Sequence, residues 1–272
     1  MIRKECGPKS ILHGMCHENF IGAFEAAARM VPGGEVERIG GLTAVRTGLP
    51  GSFFNVVLGL DHLKSIAQVR GGIERIFLRT NTEFQIVTLP ETFDELNPLI
   101  QELSLTEKEA VPGMVLNPIP DACPNPPKEL QIRHVSSSEE VTDFLRTAAV
   151  GFGAPLNFFD VLKPGLLAGG TRSWSREATY VGYVAGKPAA TSTRVTTGEV
   201  AGIYNVTTLP EFRRRGFGES MTWRADADGR TAGCKLSYLQ ASEMGRPIYE
   251  RMGYRVVEEY SLWKRKVPTI GS

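Results

Sequence analysis

The stretch Val206-Thr207-Thr208-Leu209-Pro210-Glu211-Phe212-Arg213-Arg214-Arg215-Gly216-Phe217-Gly218 constrains this chain more than any other. A strand-like segment runs into Leu-Pro, and a basic turn punctuated by two glycines then opens an amphipathic pattern. The first backbone N–H groups of a helix have no intrahelical partners and carry partial positive charge. Gly216 and Gly218 put no side chain between those donors and an approaching phosphate. The junction reads as a pyrophosphate cradle.

Beyond it, Phe217, Met221 and Ala225 recur at i, i+4 and i+8 against polar Glu219, Arg224 and Asp226, which predicts a helix stopping at Gly229. Two other phosphate motifs fail on spacing. A dinucleotide fingerprint needs a third glycine where Met221 stands, and Gly-Lys-Ser/Thr occurs nowhere in the sequence. Lys235 to Ala241 predicts a short buried strand, and Ser242 to Arg246 a loop. Pro247 suits the first turn of a further helix and Gly253 the residue past its end.

The pattern Arg213-x-x-Gly216-x-Gly218, followed by Tyr249-x-x-x-Gly253-Tyr254, resembles two hallmarks of the GNAT superfamily of acyl-CoA-dependent N-acyltransferases. The resemblance spans residues 129–266. It implies an α/β (α+β) fold with a mixed central sheet flanked by helices. It also implies acetyl-CoA as co-substrate, held by Val206, Thr207, Thr208, Arg213, Arg214, Arg215, Gly216, Phe217, Gly218, Glu219 and Ser242. Backbone groups of Val206 and Thr208 would pair with the pantetheine arm, in a cleft between two splayed strands. Ser242 stands where many members carry an Asn against that arm, and a hydroxyl does part of that work.

Tyr249 matches the tyrosine that protonates the departing thiolate. A phenol with an ordinary pKa of about 10 keeps its proton at neutral pH. The positions that often supply a carboxylate base fall on Gly202 and Tyr204. Glu199 and Glu243, the nearest acids, read as solvated residues, so a water relay is expected. The implied reaction is direct attack of a primary amine, on a small molecule or a protein, within a ternary complex. The alternative is an acyl-CoA-binding module without chemistry.

With 31 basic and 30 acidic residues the net charge is +1, which argues against nucleic acid as the main partner. No run suits a membrane span, and the first residues lack the apolar core of a secretion signal. A cytoplasmic protein is expected, with Cys6, Cys16, Cys123 and Cys234 as reduced thiols. Cys6, His13, Cys16 and His17 lie close in sequence, but adjacent Cys16 and His17 reach one tetrahedral ion poorly, and no metal is expected. A homodimer is left open.

Asn117 to Pro127 holds five prolines in eleven residues and favours extended backbone. It suggests a first domain over 1–117, a linker over 118–128 and a catalytic domain over 129–272. In the catalytic domain, Leu130 to Val135 predicts a strand, Ser136 to Glu139 a helix cap, and Ala185-Gly186-Lys187 a hairpin turn. Phe158 and Phe159 are candidates for an acceptor wall. The first domain predicts a helix over Asn19 to Met30, strands about Gly40-Gly41 and over Ser52 to Leu58, a helix capped by Asp61, and another over Thr92 to Leu103. That order resembles a second GNAT half, without Arg-x-x-Gly-x-Gly after its strand. A degenerate copy that binds no cofactor is expected.

Overall fold

The computed structural model describes residues 8–156, 160–168 and 177–264. In chain order they form α1 (Pro8–Arg29), β1 (Glu35–Ile39), β2 (Leu42–Arg46), β3 (Asn55–Gly59), α2 (Ile66–Ile73), β4 (Gln85–Thr88), α3 (Pro90–Glu102) and β5 (Glu107–Leu116). There follow β6 (Leu130–His134), α4 (Ser138–Gly151), α5 (Lys163–Ala168), β7 (Glu177–Val184), β8 (Lys187–Thr197), β9 (Val200–Thr208), α6 (Phe217–Thr231), β10 (Leu236–Gln240), α7 (Arg246–Arg251) and β11 (Arg255–Lys264). The result is a mixed α/β architecture of mixed sheets with flanking helices. The chain divides into two compact units that interleave in sequence. One comprises Met1–Ala23 and Met114–Val257, the other Phe24–Gly113 and Glu258–Ser272. The proline-rich stretch 118–128 lies inside the first of these.

In the first unit β6, β7, β8 and β9 pair antiparallel in sequence order, and β10 joins β9 in parallel. The β7–β8 turn places Ala185 and Gly186 at φ 48° and 78°, the left-handed pair that a tight hairpin requires. Helix α6 lies on one face. Its Phe217, Met221 and Ala225 join Ile203, Leu239 and Tyr254 in a buried core. Ser137 caps α4, with Glu140 bonded back to complete the box.

The second unit repeats the connectivity. β1, β2 and β3 pair antiparallel, α2 follows β3, and β4 returns parallel to β3. Residues Ser261–Lys264 of β11 then pair antiparallel with β4. Phe77 and Phe84 stack at 4.7 Å in its core, and Trp263 stacks on Phe93 at 5.2 Å.

Several expectations need correcting. Helix α6 runs past Gly229, because that glycine is buried inside the helix where a Cβ would lie 2.6 Å from Ala201 Cβ. It is a close-approach residue rather than a stop. Ser65, not Asp61, caps α2. The segment starting at Ser52 opens as a 3-10 turn before β3, and α1 begins well before Asn19. The closing run forms one strand among the described residues, not several. Strands β4 and β5 were not anticipated: β4 has four residues, all buried, and β5 opens with Glu107-Lys108-Glu109 and contains Pro112. Phe158, Phe159 and Cys6 lie outside the described residues.

Candidate active site

The first unit's sheet opens into a fork. Strands β9 and β10 pair only from Val200↔Leu236 to Gly202↔Tyr238, so Ile203 to Thr208 continue without β10 beside them. A bulge drives the separation. Between Thr191↔Thr207 and Thr193↔Tyr204, β9 spends one residue more than β8, and Asn205 absorbs it at φ 53°. Thr191 Oγ1 donates to Asn205 O at 2.8 Å and holds the bulge.

Beyond the bulge, strand alternation sorts the side chains. Val206 and Thr208 point toward Gly218 of α6, and Thr207 is buried against Gly151 of α4. The backbone sorts as well. Leu209 N donates to Ala189 O at 2.9 Å, so Leu209 and Thr207 direct their amides toward β8. Val206 and Thr208 direct theirs to the open side of the fork. Thr208 O accepts one bond, from Arg213 Nε at 3.1 Å.

The turn into α6 is shaped by backbone strain. Arg214 has φ 62°, and Gly216, the N-cap, has φ 76° and no side chain to cap the helix. A Cβ on Gly216 would meet nothing within 4 Å, so its glycine is set by dihedral angle and the space beside it is open. All three arginines are exposed, and two of them make contacts within the protein. Arg213 bonds its own strand, and Arg215 pairs with Glu129 at 2.6 Å while lying 4.9 Å over the Phe217 ring. No side chain caps the helix N-terminus at Phe217, Gly218 and Glu219.

Tyr249 is half-buried on α7, and its hydroxyl shares a hydrogen bond with Thr222, which in turn donates to Gly218 O at 3.0 Å. Burial pushes the phenol up to about 12, and the Thr222 bond opposes that shift. Tyr249 therefore sits against the opening turns of α6. Ser242 Oγ accepts from Gly245 N at 3.1 Å, closing its own loop before α7. Its hydroxyl proton remains available. Glu199 forms an ion pair with Lys235, and Glu243 is exposed.

Sequence reasoning missed a buried polar cluster behind Tyr249. Asp226 Oδ1, Ser237 Oγ and Tyr254 Oη lie 2.6, 2.8 and 2.6 Å from one another. Ser237 and Tyr254 both donate toward Asp226 Oδ1, and Ser237 Oγ also reaches Ala201 O at 3.2 Å. Asp226 Oδ2 is buried without a partner, which penalises the charged form further. Burial pushes Asp226 up to about 7, against the lowering by Ser237 and Tyr254. The cluster ties α6, β10 and the end of α7 together, and Tyr254 lies 5.8 Å from the Tyr249 ring. In sequence, Asp226 looks like one more polar residue on a helix.

Among the described residues no group of three or more His, Cys, Asp or Glu side chains is placed to hold a metal ion. No helix among them is long and apolar enough to cross a membrane.

A family model described as an acetyltransferase (GNAT) domain matches residues 131–257. Among solved structures, a GCN5-related N-acetyltransferase from Kribbella flavida is 17% identical and superposes with a TM-score of 0.66, covering 94% of this chain and 97% of that one. A functionally unknown conserved protein from Staphylococcus epidermidis is 16% identical with a TM-score of 0.58, over 86% of this chain and 95% of that one. A GCN5-related N-acetyltransferase from Sphaerobacter thermophilus is 14% identical with a TM-score of 0.58, over 82% and 76%. At these identities the structures show the fold. No curated protein matches the sequence. The domain match supports acyl transfer in general, and it identifies residues 131–257 as a GNAT-type acetyltransferase domain.

Proposed function

We propose that the first unit transfers an acetyl group from acetyl-CoA to a primary amine, carried by a small molecule or a protein, by direct attack. The fork carries this reading. It offers outward-turned amides of Val206 and Thr208 to an extended arm, and it lies beside a helix N-terminus that no side chain caps. In this reading the pantetheine arm adds to β9 like a strand, and the pyrophosphate rests on the Arg213 to Glu219 turn. Positioning of amine and thioester supplies most of the rate gain. Ser242 contributes its remaining hydroxyl proton to the arm.

The phenol shift decides what Tyr249 does. A group near 12 gives up its proton to a thiolate of ordinary pKa, about 8.5, only against a gradient of several units. Its one proton points to Thr222, whose own proton is held by Gly218 O, so its role is then to turn that proton from Thr222 toward the thiolate as the C–S bond breaks, with solvent completing the protonation. Tyr249→Phe removes that donor and keeps the ring. The expected result is a kcat lower by about 10- to 1000-fold with acetyl-CoA affinity nearly constant. An unchanged kcat would remove Tyr249 from the reaction.

The second unit is, in this reading, a degenerate GNAT-like copy. It keeps the order of three antiparallel strands, helix and parallel strand, and has lost the cofactor turn. A binding module without chemistry is the competing reading, favoured by the absence of a carboxylate at Gly202 and Tyr204. Release of CoA in the presence of an amine separates the two.

A further inference from the structure

On the face of the sheet opposite α6, Gly202 has an unusual neighbour. A Cβ there would collide with Asn19 Oδ1, carried in from α1, so glycine at 202 makes room for the Asn19 carboxamide. Asn19 is fully buried, and its Nδ2 donates to Val195 O at 2.9 Å. That bond fixes the amide. A backbone carbonyl only accepts, so the nitrogen faces Val195 and Oδ1 must face the other way.

Oδ1 faces Tyr204, whose Oη lies 2.7 Å away. A carboxamide oxygen cannot donate, so the Tyr204 hydroxyl must spend its single proton on Asn19. The chain of bonds then has one direction, from Tyr204 through Asn19 to Val195. What remains on the Tyr204 oxygen is lone pairs alone. Burial raises the phenol, so the proton stays in place.

Tyr204 sits where the fork opens, two residues beyond the last β9–β10 pair at Gly202↔Tyr238. Gln240 occupies the matching position on β10. Its carboxamide adjoins the Tyr204 hydroxyl and lowers that phenol, as a donor beside its oxygen does, and its buried Nε2 meets no other partner among the described residues. The base of the fork therefore holds a fixed acceptor oxygen beside the Gln240 carboxamide.

We propose that Tyr204 Oη receives an N–H of the attacking amine, and that Asn19 is the positioning residue that turns the Tyr204 proton away so that it can. This rests on the acyl-transfer reading above. As the amine nitrogen bonds to the thioester carbon, it gains positive charge, and its N–H···O bond to Tyr204 strengthens. The C–S bond breaks with its electron pair leaving on sulfur, which takes a proton from solvent, and the excess proton on nitrogen goes to solvent. Tyr204 exchanges no proton. It orients the nucleophile and favours N–H-bearing acceptors over those that can only accept.

The test uses the full chain with acetyl-CoA and hydroxylamine, a probe small enough to enter a narrow acceptor site. Calorimetry gives acetyl-CoA affinity, and release of CoA gives the transfer rate. Tyr204→Phe should lower hydroxylamine-dependent release about 10- to 100-fold and leave acetyl-CoA affinity within about twofold. Gly202→Ala should match Asn19→Ala in rate, because the new Cβ evicts the carboxamide. The double variant should lose less than the two single losses combined, since the collision with Asn19 is then gone and only the 2.6 Å approach to Tyr204 Cε2 remains.

Wild type that binds acetyl-CoA but shows no hydroxylamine-dependent release would overturn the inference, as would a Tyr204→Phe protein with full release. Additive losses in Gly202→Ala and Asn19→Ala would overturn the role of Asn19. Loss of acetyl-CoA affinity in Tyr204→Phe would reduce Tyr204 to a structural part of the fork. Wild type that binds no acetyl-CoA would instead overturn the parent reading.

Discussion

The turns that follow β9 and β3 have the same place in the same connectivity and opposite chemistry. After β9 the chain reaches α6 through residues with positive φ and leaves its N-terminus uncapped by any side chain. After β3 the protein fills the corresponding place itself. Gly40 O accepts from Lys64 N and Ser65 N, and Ser65 Oγ accepts from Gln68 N in α2. The Glu95 carboxylate, on α3, accepts from Leu63 N at 2.6 Å and pairs with His62 at 2.7 Å. One junction leaves its helix N-terminus without a side-chain cap, and the other carries an anion of its own.

The strongest way to break this comparison is Gly216→Asp. Aspartate tolerates the left-handed backbone at φ 76°, and the space beside it is open, so the protein should fold. The added carboxylate should repel pyrophosphate and weaken acetyl-CoA about 100-fold in titration calorimetry, with wild type binding one equivalent per chain. Two equivalents in wild type would mean that the β3 junction also binds. Full affinity in the variant would mean that the β9 junction does not.

The acids of the two units give a second contrast, in sign. Asp226 is raised to about 7 by burial, so its contribution is present at pH below about 4 and is lost as pH rises toward 7. Glu95 is lowered, first by its bond from Leu63 N and then by His62, so its contribution is lost as pH falls. Hydrogen exchange should therefore show α6 loosening between pH 5 and 8 by on the order of 2 kcal/mol, and Asp226→Asn should flatten that slope. The residues around Leu63 should loosen in the opposite direction, below pH 5. Parallel slopes in both units would contradict the raised Asp226 carboxyl.

The smallest effect sharpens the comparison. Ser65→Ala removes a side-chain cap and should cost about 1 kcal/mol in denaturant unfolding, with acetyl-CoA affinity unchanged. A measurable loss of affinity would tie the β3 junction to binding after all.

Much of the first unit was legible because local chemistry specifies it. The positive-φ turn at Ala185-Gly186, the Ser137 cap and the glycines about α6 each announce themselves by residue type. Elements whose identity depends on distant partners were not legible. β4 has four buried residues with no alternation, and β5 looks too polar at its start. Gly229 resembles a helix stop until Ala201 is seen beneath it. The candidate site divides the same way. The Arg213 to Gly218 turn and Tyr249 stand out by spacing, whereas Asn19 lies more than 180 residues from Tyr204 in sequence and no local pattern links the two.

The interleaving of the two units bears on how the chain comes off the ribosome. The unit that carries the fork needs residues 8–23 as well as 114–257, so about ninety residues emerge between its first piece and the rest. The other unit needs Ser261–Lys264 against β4, and waits for nearly the whole chain. Long loop closures of this kind slow folding and leave strand edges exposed while they wait. A nascent chain halted at residue 257 would hold β4 without its β11 partner. A fragment starting at 114 would leave Tyr204 without the Asn19 carboxamide that takes its proton. Neither unit is a cassette that can be moved on its own, and the order of synthesis becomes part of how the site is assembled.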